Sequence, residues 1–191
     1  MHRIRLFFLI TLAVAACAPR TVTRIDPGQA VDLSGRWNDT DSRAVADEMI
    51  STLMASSSFK QYTDSQGKPA IIVGDILNRT SEHIDANNFV KKIEVAIFQS
   101  SVADLVESET FRDKLRVERA QQQDFASPET VSEWGKEVGA DLMLFGEMTS
   151  ETDVLNNKRL VNYQVTLFLT DVETNKRVWY GQKEIKKFVR N

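Results

Sequence analysis

The chain has 191 residues, of which 42% are hydrophobic and 27% charged, and a formal net charge of −3. This is ordinary single-domain size, with enough apolar material for one core. The acidic balance argues against nucleic acid as a partner, because phosphates call for clustered positive charge, and one cysteine excludes an internal disulfide framework.

Residues 1–16 read as a secretory signal. His2, Arg3 and Arg5 are followed by the apolar run Leu6 to Leu12 and by the small residues Ala13, Ala15 and Ala16. The run is far shorter than the roughly 20 residues a membrane-spanning helix needs. Val14-Ala15-Ala16-Cys17 resembles the bacterial lipobox, which makes Cys17 the expected lipid-attachment residue. Ala18 then points to the outer membrane, since in such proteins an aspartate at that position favours retention in the inner one. Loss of Arg3 and Arg5 with the signal leaves 22 Lys+Arg against 27 Asp+Glu, a net charge of −5.

Residues 17–36 read as the lipidated cysteine and a flexible tether, with Pro19 and Asp26-Pro27-Gly28 and no sustained period. Fully stretched, about 20 residues reach at most ~70 Å. The globular domain is expected over 37–191. Asp39 and Asp41 offer N-caps to a helix over about 41–56, with Val45, Met49, Ile50 and Leu53 on one face and Ser56-Ser57-Ser58 fraying its end. Ala70 to Leu77 reads as a central strand buried on both faces, and Asn78-Arg79-Thr80 as the turn that leaves it.

A helix over about 86–100 carries the stripe Phe89, Ile93 and Ile97. Val102 to Val106 suits a short strand, and Ser108 a cap for a helix bearing Phe111 and Leu115. Ser127-Pro128 predicts a further helix with Val131, Trp134 and Val138 inward and Gly139 at its end. Strands follow at Asp141 to Met148, Leu160 to Thr170 and Arg177 to Ile185. Their short connections predict antiparallel pairing, while the early strand–helix–strand unit predicts a crossover. The fold class is therefore α/β (α+β), a sandwich with a mixed four- to five-stranded sheet flanked by helices.

No phosphate-cradling loop or nucleophile elbow occurs. Beyond the signal the chain has one histidine, His83, so a histidine-based triad or metal cluster has little to draw on. The reading is a non-enzyme with no metal, no cofactor and no small-molecule substrate. Lys183, Lys186, Lys187 and Arg190 read as a solvated strand end. One of Trp179 and Tyr180 must face away from the side the other uses. Partner-binding residues are expected on loops held by a rigid scaffold: Asn78, Arg79, Thr80 and His83 in one, and Asn156 and Asn157 in the 151–159 loop.

Several of these motifs, in this order and spacing, resemble the LpoB family of outer-membrane lipoproteins. They are the lipobox at Val14 to Cys17, Trp37-Asn38 before the first helix, and the strand ending in Asn78-Arg79-Thr80. Gly139-Ala140-Asp141, the alternating strand Val161 to Leu169, and Glu173 to Trp179 complete the set. The resemblance covers about 37–187. It implies a fold similar to the N-terminal domain of TolB and docking on a class A (bifunctional) penicillin-binding protein. It further implies allosteric activation of peptidoglycan synthesis, with the lipid on Cys17 holding the chain to the periplasmic face of the outer membrane. The tether is shorter than the Pro-rich one of well-known members, and Thr174-Asn175 replaces their Thr-Gly turn, a position where asparagine tolerates a left-handed backbone. The alternative is an envelope-assembly or secretion lipoprotein related to the curli-secretion CsgG family, with a structural role.

Overall fold

The computed structural model describes residues 21–133 and 135–190. The signal segment, Cys17 and the core position expected for Trp134 lie outside the described residues. The chain divides into two compact units, Met1–Ala30 and Val31–Asn191, and the second holds all of the hydrophobic core.

Helix α1 spans Asp39–Ala55 and α2 spans Ser57–Gln66. The cap of α1 is Asn38, one residue ahead of the expected Asp39. Its side-chain oxygen accepts from the Asp41 amide at 3.2 Å, and the Asp41 carboxylate accepts from the Asn38 amide at 2.9 Å, a reciprocal capping box. Val45, Met49, Ile50 and Leu53 are buried as expected. The Ser56–Ser58 run does not fray out. Ser56 ends α1, and its hydroxyl caps α2 by accepting from Phe59, the buried anchor of that second helix.

Strand β1 (Ala70–Asn78) leads through α3 (Ala86–Ser100) to the two-residue β2 (Asp104–Leu105). Helix α4 (Glu109–Phe125) precedes β3 (Leu142–Leu155), β4 (Lys158–Asp171) and β5 (Arg177–Arg190). The sheet order is β2-β1-β3-β4-β5. β1 is parallel to β2 and β3, and β3, β4 and β5 are antiparallel, so the sheet is mixed and the fold class is α+β as the pattern predicts. Helices α1 and α2 pack on β5, and α3 packs on α1 and β1. Ile71, Val73, Leu142, Leu144, Leu167, Leu169 and Trp179 face them. Gly181 gives α1 room: a Cβ there would stand 2.3 Å from the Trp179 indole and 3.0 Å from the Met49 sulfur.

Three expectations are corrected. β1 is not buried on both faces; Asp75 and Leu77 are exposed, because the helices that pack on the sheet leave that side uncovered. The described residues of 127–139 form no helix. Ser127 makes a single turn, accepting from the Thr130 and Val131 amides. The segment beyond is tied to α4 by polar contacts, Gln123 to Ser132 and Arg116 and Arg119 to Glu137. Those two guanidiniums hold the Glu137 carboxyl down at about 2. Val138 is exposed. Helix α4 carries Phe111 and Leu115 without burying either, and Ser108 makes no side-chain cap bond.

The third correction concerns Lys187, which is buried rather than solvated. Its ammonium donates to Asp32 at 2.6 Å and to the Arg36 carbonyl at 3.0 Å, and sits 2.6 Å from the buried Asp41 carboxylate. Three donors thus meet three acceptors. Asn38 extends the cluster, donating to Asp32 at 2.7 Å and to the Val31 carbonyl at 3.3 Å. Gly35 holds a left-handed backbone (φ +66°) where a Cβ would lie 2.2 Å from Val189, so Val31 to Arg36 lie against the end of β5.

Lys187 sits above its ordinary value: burial alone would lower it, but hydrogen bonds to Asp32 and Asp41 outweigh burial. Asp32 sits below its ordinary value, chiefly because Lys187 donates to it. The Asp32 contribution is therefore present above its ordinary value of 3.8 and lost as pH falls through the lowered one. That of Lys187 is complete below 10.5 and lost only above it. Lys187→Met strands the Asp41 carboxylate and is expected to cost roughly 3–5 kcal/mol in urea unfolding at neutral pH. The gap to the unsubstituted protein should narrow below about pH 4, as Asp32 takes up its proton.

Candidate docking surface

The loop after β1 is built from the inside. The Asn78 side-chain oxygen accepts from the Thr80 amide (3.0 Å) and hydroxyl (2.7 Å), and its amide group donates to the carbonyls of Glu82 (2.9 Å) and Ile84 (3.3 Å). All its polar capacity is spent within the loop, as expected of a turn-fixing Asn. Glu82 then locks the loop to the domain. One carboxylate oxygen accepts from the Tyr163 hydroxyl at 2.7 Å and the other from the Trp37 amide at 3.2 Å. Burial, then the bond to Glu82, pushes the Tyr163 phenol far up, so it stays a donor. The Trp37 ring meets Tyr163 and Phe89 edge-on, at 5.6 and 6.3 Å between centroids, and its indole donates to Ser42 at 2.8 Å.

What remains outward is Arg79 and His83. Arg79 is anchored by its own amide on the Met148 carbonyl (2.8 Å), and its guanidinium reaches Glu147 at 3.1 Å in an exposed pair. His83 stands on the rim of a groove of about 970 Å³ between α1 and α3, floored by Trp37, Ala46, Ile84 and Ala96. Asp39 spans this groove's mouth, 2.5 Å from Arg43 and 2.6 Å from Lys92. The hydrogen bond to Lys92 is the main reason its carboxyl is lowered.

Asn156 and Asn157 are not part of this surface. The expected 151–159 loop is a hairpin in which Leu155 pairs with Lys158, leaving only those two residues as the turn. Asn156 takes the left-handed backbone (φ 53°) the tight connection needs. Since Asn78 is level with Met148, a rise of about 3.3 Å per residue puts the tip roughly 20 Å beyond the loop.

The side of the sheet turned away from α1 and α3 was not singled out by the sequence reading. Phe145 and Phe168 stack there at 5.7 Å, and the Arg177 guanidinium lies 4.2 Å over Phe168 and 5.6 Å from the exposed Tyr180 ring. The alternation along β3 and β4 carried the signal, as both phenylalanines fall out of phase with the core residues. Trp179 is buried and Tyr180 exposed, as the parity argument requires. Among the described residues no group of three metal-ligating side chains exists.

Fold and surface thus define a one-sheet α+β domain whose outward features are a rigid loop, a helix-lined groove and an aromatic strip. The family model of the peptidoglycan-synthase activator LpoB matches residues 41–185, and the chain belongs to that family. The family is one of activators rather than enzymes, and the match does not favour the curli-secretion alternative. Among solved structures, the LpoB C-terminal domains of Salmonella enterica (16% identity) and Escherichia coli (17%) each match with a TM-score of 0.47, over 76% of this chain and 98% of theirs. The solution structure of E. coli LpoB matches at 15% identity and a TM-score of 0.42, over 92% of this chain and 83% of that one. No curated protein matches the chain.

Asn78→Ala removes the side chain that organises the loop, taking the acceptor from the Thr80 amide and hydroxyl and a donor from the Ile84 carbonyl, while the Glu82 carbonyl keeps the Ile84 amide and the Thr80 hydroxyl; a loss of about 1–3 kcal/mol is expected in chemical unfolding. Arg79→Glu gives up only an exposed ion pair and should stay within about 1 kcal/mol.

Proposed function

We propose that the chain is an outer-membrane lipoprotein, anchored through lipid on Cys17, that docks on a class A penicillin-binding protein and raises its output allosterically. The observation that carries this reading is the family match over 41–185, which makes peptidoglycan-synthase activation the function of the family. No helix among the described residues is long and apolar enough to cross a membrane, so attachment is assigned to the lipid. Several acyl chains on one residue hold firmly where a single chain holds weakly.

The docking surface in this reading is the Asn78–His83 loop with the adjoining groove. Asn78 and Thr80 stiffen it, Arg79 and His83 make the contact, and a rigid loop loses little freedom on binding. Activation then works by population shift: the domain binds the active form of the synthase more tightly than the idle one, and the rate can rise by no more than that ratio. A tenfold gain requires about 1.4 kcal/mol of differential affinity, within reach of a few polar contacts. Val31 to Arg36 are held on β5, and the stretch from Cys17 to Ala30 would reach at most about 50 Å if fully extended.

Two measurements test the parts separately. Metabolic labelling with a palmitate analogue should mark the chain and be abolished by Cys17→Ser; labelling that persists would remove the anchor. Binding of residues 18–191 to the class A synthases of the same organism should be saturable, and Arg79→Glu with His83→Glu should weaken it about tenfold or more. Unchanged affinity in that double variant would move the docking surface elsewhere.

A further inference from the structure

The tip of the β3–β4 hairpin and the end of β5 carry a surface that the docking loop does not use. Register and strand parity put Leu155, Leu160 and Phe188 on one face of this three-stranded end, beside Lys158, Lys186 and Arg190. Leu155 is 68% exposed, Phe188 59% and Leu160 40%, and Val154 on the opposite face is 61% exposed. The Arg190 guanidinium lies 5.8 Å from the Phe188 ring centre. The cations on that face are Lys158, Lys186 and Arg190, Asp153 stands on it opposite Leu160, and Arg159 lies on the other face, in a chain whose net charge is −3. Glu151 lies on the same face four residues behind Leu155, and Glu184 is 4.0 Å from Lys186.

Exposed leucines and a phenylalanine fringed by lysine and arginine are what an interfacial segment presents to a bilayer. The apolar ends enter the acyl boundary while the long cationic chains reach back to the headgroups. The route of the chain points the same way. Val31 to Gly35 run along this end of the domain: Gly35 lies against Val189, the Ser34 carbonyl accepts from Arg159 at 3.5 Å, and Leu33 is 94% exposed. Asp32 and Val31, behind them, meet Lys187 and Asn38, so residues 31–35 follow the end of β5.

We propose that the β3–β4 hairpin tip, with the end of β5, is a contact surface for an anionic phospholipid bilayer. The contact deepens the lipid-anchor reading of Cys17, on which its setting rests. It sets the domain tip-down on the membrane that holds the tether, and leaves the Asn78–His83 loop, roughly 20 Å back along the sheet, in solvent. So few inserted side chains make a reversible contact, and the domain exchanges between membrane and synthase.

The test uses residues 18–191 without lipid, since the core lies wholly within 31–191. Sedimentation with vesicles of phosphatidylcholine plus phosphatidylglycerol should pull the protein down, with weaker partition at high salt and onto phosphatidylcholine alone. Leu155→Asn with Phe188→Asn should cut partition about tenfold or more and leave the melting temperature unchanged, both side chains being exposed. Phe188→Trp should show a blue-shifted emission when anionic vesicles are added. Partition equal in the double variant, or absent from the start, overturns the proposal. So does a concentration-dependent dimer that the double variant abolishes while vesicles recruit nothing, because the tip would then fit a second copy. Palmitate labelling of Cys17 is read independently, so a failure here is distinct from a failure of the anchor.

Discussion

The buried ammonium of Lys187 is the constraint on which the arrangement of this domain depends. Its side chain joins three parts of the chain: the strap through Asp32 and the Arg36 carbonyl, the start of α1 through Asp41, and β5 through its own backbone. Asp41 serves both the capping box and the ion cluster, so the beginning of the first helix and the end of the last strand are set by the same carboxylate. A buried charge is tolerated only when its donors are all matched, and here they are. Val31 to Arg36 are thereby fixed to the last strand of the sheet and not to a loop.

From that fixed corner the other features follow. Trp37 comes next in the chain and is seated between Phe89 and Tyr163, and its amide meets Glu82. Glu82 also takes the Tyr163 hydroxyl, so the loop after β1 is held by the strap on one side and by β4 on the other. The loop after β1 is thus fixed through the segment before α1, although the two are far apart in sequence. A surface organised in advance loses less freedom on binding.

Most of this architecture was legible in the residues, and the exceptions have definite physical causes. The stripe Phe89, Ile93 and Ile97 and the alternation of Val161 to Leu169 give helix and strand directly, because periodicity reports a one-sided environment. Asn175 takes the left-handed backbone its place in the closing turn requires. Ser127-Pro128 misled because capping chemistry marks only where a helix is able to begin; the segment beyond is held to α4 by side chains remote in sequence, such as Glu137 on Arg116 and Arg119. Lys187 was missed since a lysine among lysines at a strand end reads as solvated. Its partners Asp32 and Asp41 are remote in sequence, and no local pattern announces an ion cluster closed by topology. The turn at Asn78 to Thr80 was legible, but the division between Asn78 and Thr80 turned inward and Arg79 and His83 turned outward belongs to the fold alone. The expected 151–159 loop proved to be two long strands joined at Asn156-Asn157, and its distance from the first loop required the strand register.

The central claim is that this domain, with no catalytic chemistry assigned to it, speeds a synthase by binding it. The most direct measurement is the glycan-polymerising rate of a purified class A penicillin-binding protein from the same organism, in detergent, as lipid-free residues 18–191 are added. The account predicts a rate that rises and saturates at the concentration where binding saturates, since a preferred active state fills as the complex forms. Binding without any change in rate, or a rate that never responds, would contradict it.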